Sequence, residues 1–199
     1  MQENVYAIPE SNIDTLQIPV RQMFYVVSKT KFLVLFFCTF GLFSIYWHFK
    51  NWKLYKSYYN ENMMPVMRAI FSVFFTHALF SVVDMRIKDL NKEFVWNHSL
   101  YATLVVTVVI LSNILDRVSS YSSYEWISIL VLPLLILHGW LLAKAQAAIN
   151  ICCEDPLGIS NNQFTWLNWI WILLGGLFVL TVIFGVVLIV LELQGIKLA

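Results

Sequence analysis

Few side chains in this sequence can do chemistry, and most of them lie inside or at the rim of apolar stretches. Arg68, His77, Ser81 and Asp84 form one group, Asp116 and Arg117 a second, and His138 and Glu192 stand apart. Ionisable groups so placed are functional candidates, because a charge at the centre of a bilayer costs about 2.5–3.5 kcal/mol on insertion scales. His77, Ser81 and Asp84 follow at i, i+4 and i+7, so a helix carries them on one face. Such a stripe could relay protons or line a polar groove, with the imidazole titrating near neutral pH. It fits equally well a face satisfied by a neighbouring helix. Arg68 falls off that face and is expected to reach lipid headgroups or to pair with an acid elsewhere.

Other chemistries find less support. His138 is followed by Gln146, Asn150, Cys152, Cys153, Glu154 and Asp155, but without the H-x-x-x-H, C-x-x-C or E-x-x-H spacing of a metal site. No P-loop, G-x-G-x-x-G or G-x-S-x-G elbow is present, so ATP-driven transport and common hydrolase chemistry lack local motifs. The expectation is a chain without catalytic residues, metal or cofactor. A lipid-modifying enzyme embedded in the membrane would have only His77, Asp84 and His138 as acid or base groups. A small channel or transporter would use Arg68, His77, Ser81 and Asp84.

The elements that must position these residues are set by charge blocks. Of the 199 residues, 59% are hydrophobic and only 13% charged, against about 25% charged in soluble domains, so there is too little polar surface to coat a water-soluble globule. After a polar N-terminal segment, 1–31, apolar segments fall at 32–49, 69–83, 99–115, 126–143 and 166–191. A bilayer core of about 30 Å needs roughly 17–20 helical residues, which makes the 69–83 segment the marginal one. Open sheet edges are not tolerated in lipid and the alternation of a membrane barrel is absent. The fold class expected is all-α, a polytopic transmembrane helical bundle of four to five membrane segments. Pro133 is expected to bend the fourth segment, and Gly175–Gly176 to allow a close helix approach. Good helix formers continue from the fourth segment to Ile151, before Glu154-Asp155-Pro156 breaks the helix. No cleavable signal peptide is expected from the acidic first twenty residues, and Cys38, Cys152 and Cys153 make no disulfide framework.

Between Tyr46 and Tyr59, Trp47, Trp52 and four tyrosines interleave with Lys50, Lys53 and Lys56. After an apolar segment this pattern reads as a belt among the headgroups, and with a net charge of +1 nothing marks a nucleic-acid binder. Membrane lipids are the expected partners, with a membrane-protein partner or a second copy as further options.

Orientation depends on the first segment. If all five cross, basic residues divide seven against six; if the first is re-entrant, hinging near Gly41, they divide nine against four. The positive-inside rule favours the second arrangement.

The stretch Thr39-Phe40-Gly41-Leu42-Phe43-Ser44-Ile45-Tyr46-Trp47 with Lys50-Asn51-Trp52, then Pro65-Val66-Met67-Arg68-Ala69-Ile70-Phe71, Ser112-Asn113-Ile114-Leu115-Asp116-Arg117 and Gln146-Ala147-Ala148-Ile149-Asn150, resembles a family of small multi-spanning inner-membrane proteins of Gram-negative bacteria. Asn4-Val5-Tyr6-Ala7-Ile8-Pro9 is similar to that family's opening, with Val5 where proline is usual. The resemblance implies a multi-pass protein of the bacterial inner membrane and assigns no activity or catalytic residue. The leading expectation is a non-enzymatic accessory or lipid-interacting subunit.

Overall fold

A computed structural model describes residues 22–121 and 129–194. The N-terminal segment as far as Arg21, including the Asn4–Pro9 motif, the Trp126 start of the fourth apolar segment, and Lys197 lie outside these. The described residues form α1 (Lys29–Cys38), α2 (Phe43–Tyr59), α3 (Pro65–Ile70), α4 (Ser72–Asp89), α5 (His98–Tyr121), α6 (Val131–Cys152) and α7 (Trp166–Leu193), and contain no strand.

The first apolar segment does not form one helix. Ser28 caps α1 through Lys31 N–H, and Thr39 ends it by donating its hydroxyl to the Leu35 carbonyl at 2.8 Å. The same hydroxyl oxygen accepts from Phe43 N–H at 2.9 Å and so starts α2. Between them Phe40 and Gly41 take left-handed conformations, φ +50° and +82°, which glycine adopts freely and other residues resist. The chain then doubles back. Phe43 and Trp47 meet Phe32, Asn51 meets the backbone of Tyr25, Tyr55 meets Phe24, and Tyr59 meets Met23. This i, i+4 stripe of α2 therefore reads the descending chain in reverse order, and α1–α2 is an antiparallel hairpin.

The second apolar segment is also interrupted, at Phe71 (φ −95°, ψ 37°). Pro65 opens α3, where its missing N–H is not needed. Arg68 lays its guanidinium over the Trp52 ring at 4.4 Å and the Phe75 ring at 5.1 Å, stapling α3 to α2 and α4.

Three helices, α5, α6 and α7, are long and apolar enough to cross a membrane. Pro133 does not bend α6. It is the third residue of the helix, within the first turn, whose N–H groups have no intrahelical acceptor in any case. Helix α6 does continue past Lys144 to Cys152, and α5 runs through Asp116 and Arg117 to Tyr121. A capping box of Thr165 and Asn168 starts α7. No described side chain of α7 is buried, and the helix packs chiefly against α1, with a close approach at Gly175. The core lies where the hairpin meets α4 and α6, around Phe24, Phe32, Phe36, Trp47, Phe80 and Leu141.

Candidate functional site

Ahead of α1, residues Met23–Ser28 run as extended chain and are largely buried. An extended segment has no internal partners for its backbone, so other side chains must supply them. Asn51 of α2 accepts from Tyr25 N–H at 3.0 Å; Gln146 of α6 donates to the Tyr25 carbonyl at 3.0 Å. Asn150, one turn on, accepts from Val27 N–H and donates to the Val27 carbonyl at 3.0 Å; Asn161 donates to the Val26 carbonyl at 2.8 Å. The Trp47 indole donates to Gln146 Oε1 and fixes that amide. Gly158 closes the slot: with φ +66°, a Cβ there would lie 2.6 Å from the backbone of Val27 and Ser28. Lys31 completes the clamp. Its buried ammonium donates to Asn161 Oδ1 and the Gln163 carbonyl, each at 2.6 Å, and burial pushes its pKa down.

This clamp holds the hairpin against the start of α7, and a hollow of about 550 Å³ remains between them. Tyr25, Tyr46, Thr165 and Asn168 give it a polar mouth. Leu35, Phe43, Leu174 and Phe178 are among the residues that make its shaft apolar. Its floor is the hairpin tip, where the Phe40 ring meets Phe178 edge-on at 5.0 Å between centroids. Phe178 lies twelve residues into α7, so the tip sits about 18 Å from that helix's start. A mostly apolar cavity of this volume with a few convergent polar groups has the form of a small-molecule site, typically about 300–1,000 Å³. No family model, curated protein or solved structure matches this chain. The chemistry of the hollow therefore rests on its own walls.

Arg68, His77, Ser81 and Asp84, singled out by sequence, do not line this hollow. Exposed His77 has its Nε2 3.1 Å from Thr103 Oγ1 of α5. Ser81 is half-buried on the same face. Buried Asp84 receives Lys88 at 2.7 Å, His98 at 3.2 Å and the Trp96 N–H at 3.0 Å, and so ties α4 to the start of α5. Burial raises its carboxyl pKa, but the Lys88 hydrogen bond, His98 and Trp96 outweigh it and bring it below the usual aspartate range. A carboxyl depressed in this way stabilises the fold above its ordinary pKa, and the contribution is lost as pH falls through that range. His138 stands on α6 against the Phe36 ring. Among the described residues no group of three His, Cys, Asp or Glu could hold a metal ion.

The aromatic belt divides by helix face. Trp47 and Trp52 are 0% and 1% exposed and belong to the core, because their face of α2 is the one that meets the clamp and Arg68. Lys50 and Lys53 lie over the rings of Tyr46 and Phe49. Lys56 donates to the Met63 carbonyl at 2.8 Å. The residues that build the site, Asn51, Gln146, Asn150 and Asn161, are uncharged amides that a search for ionisable groups passes over. Their signal is an i, i+4 pair of amides, Gln146 and Asn150, in an otherwise apolar helix.

Proposed function

We propose that this is a non-enzymatic integral membrane protein that binds lipid, with an acyl chain lying in the hollow between the α1–α2 hairpin and α7. The observation that carries this reading is the hollow itself, polar at the mouth and apolar down the shaft, beside an apolar helix with no buried side chain among its described residues. An acyl lipid has that same division along its length. The protein purified in mild detergent carries bound lipid, and Leu174→Trp, which fills the shaft from its exposed wall, removes most of it without lowering the melting temperature. Lipid content unchanged by that substitution sinks the proposal.

The arrangement in the bilayer follows from the hairpins. Helices α5, α6 and α7 cross, while α1–α2 enters about half-way and returns to the face it left. Ten of the described basic residues, from Lys29 to Lys92 together with Lys144, then lie at one end, and Arg117 at the other. The positive-inside rule places the ten in the cytoplasm, and the family resemblance favours a bacterial inner membrane. In a cysteine-free background, Lys29→Cys and Lys53→Cys label from the same face and Tyr121→Cys from the opposite one. Labelling of positions 29 and 53 from opposite faces rules the re-entrant hairpin out.

A further inference from the structure

A second hollow of about 470 Å³ lies on the other side of α2. Ile45 and Phe49 of α2 and Val66, Ala69 and Ile70 of α3 line it, and Tyr46 is the one lining residue with a polar side-chain group. The two hollows share the walls Leu42 and Tyr46, which stand between them at the start of α2 and are 67% and 44% exposed. One turn beyond Tyr46, toward the end that holds the basic residues, the Lys50 ammonium lies 5.6 Å from the Tyr46 ring centroid. The Lys53 ammonium lies 5.8 Å from the ring of Phe49, a wall of the second hollow. Neither lysine takes part in any ion pair among the described residues.

We infer that the two hollows are the chain slots of a single anionic two-chain phospholipid straddling the start of α2. The inference rests on the lipid-binding reading above and names its ligand. One chain follows the shaft beside α7, the other the apolar hollow beside α3, and the glycerol backbone sits at the Tyr46 end of the shared wall, beside the polar mouth. The phosphate meets Lys50 and Lys53 at the membrane surface. A single-chain lipid fills one slot and leaves the other wet. A zwitterionic headgroup brings its own ammonium against two lysines that lack a carboxylate partner. Charge, spacing and the shared wall all select the same ligand.

Native mass spectrometry of the delipidated full chain, titrated with dioleoyl-phosphatidylglycerol, its phosphatidylcholine counterpart and the single-chain lyso-phosphatidylglycerol, tests this. The parent binds one equivalent of the two-chain anionic lipid and prefers it to phosphatidylcholine at least about fivefold, the worth of roughly 1 kcal/mol for a basic residue near an anionic surface. Replacing Lys50 and Lys53 by Gln removes the preference and keeps two-chain binding. Ile70→Trp, at a 60% exposed position in the second hollow, brings the two-chain lipid down to the affinity of the lyso form and leaves the lyso form unchanged. If Ile70→Trp leaves two-chain binding intact, or the parent takes both forms equally, the paired slots are overturned. Loss of lipid in Leu174→Trp then still upholds the single hollow. Retention of the head-group preference without both lysines overturns the anionic assignment. No effect of Leu174→Trp removes the lipid-binding reading and this inference together.

Discussion

Gly175→Leu is expected to detach α7 from α1 while leaving the protein inserted. A Cβ on Gly175 would sit 1.5 Å from the Cys38 carbonyl oxygen and 2.4 Å from its carbon. Both are backbone atoms at the end of α1, where no rotamer change makes room. Helix α7 satisfies its own backbone and stays in the bilayer, so the strain is released by separation rather than unfolding. The hollow loses a wall, and the Phe40–Phe178 contact opens with it. A cysteine-free protein carrying Phe40→Cys and Phe178→Cys cross-links readily, and adding Gly175→Leu abolishes the cross-link. Gly176 and Gly185 have nothing within 4 Å of a built Cβ. Gly176→Ala and Gly185→Ala therefore stay within about 0.5 kcal/mol of the parent. Cross-linking that survives Gly175→Leu contradicts the packing described.

Asn150→Leu removes the centre of the clamp. The leucine leaves the buried Val27 N–H and carbonyl without partners and frees the Gln146 amide that donates to Asn150 Oδ1 at 2.7 Å. Each buried group left unpaired costs about 1–3 kcal/mol, so the loss is on the order of 3–5 kcal/mol. It appears as a lower melting temperature and as new protease cleavage near Tyr25. Asn113 is the control. It is exposed and, among the described residues, donates to the Val109 carbonyl of its own helix alone, so Asn113→Leu changes stability by less than about 0.5 kcal/mol. Equal effects at the two positions would falsify the clamp.

Length and apolarity made α5 and α7 legible, because a helix that satisfies its backbone in lipid needs little else from the rest of the chain. Gly41 was legible as a hinge because a re-entrant first segment improves the division of basic residues. The close approach at Gly175 could be anticipated from the glycine pair, but which member of the pair makes it could not. That choice belongs to the rotation of α7 against α1, to which a helix apolar on every face gives no clue. Trp47 and Trp52 illustrate the opposite limit. Interleaved with lysines they have the composition of an interfacial belt, and only the reversal at Phe40–Gly41 turns their face inward. Asp84 carries the same lesson for charge. Its spacing with His77 suggested a stripe, yet Lys88 one turn on and His98 and Trp96 beyond the end of α4 are what engage it. The two hollows have no sequence signature, because the first takes its walls from α1, α2 and α7 and the second from α2 and α3.

The clamp also sets a schedule for biosynthesis. Val27 and Asn150 are 123 residues apart, and ribosomes add about 5–20 residues per second. Val27 therefore waits roughly 6–25 s after its own synthesis before Asn150 exists to hold it. Through that interval Met23–Ser28 has only Asn51 of its four amide partners, and whatever attends the nascent chain must keep the segment extended until the end of α6 arrives.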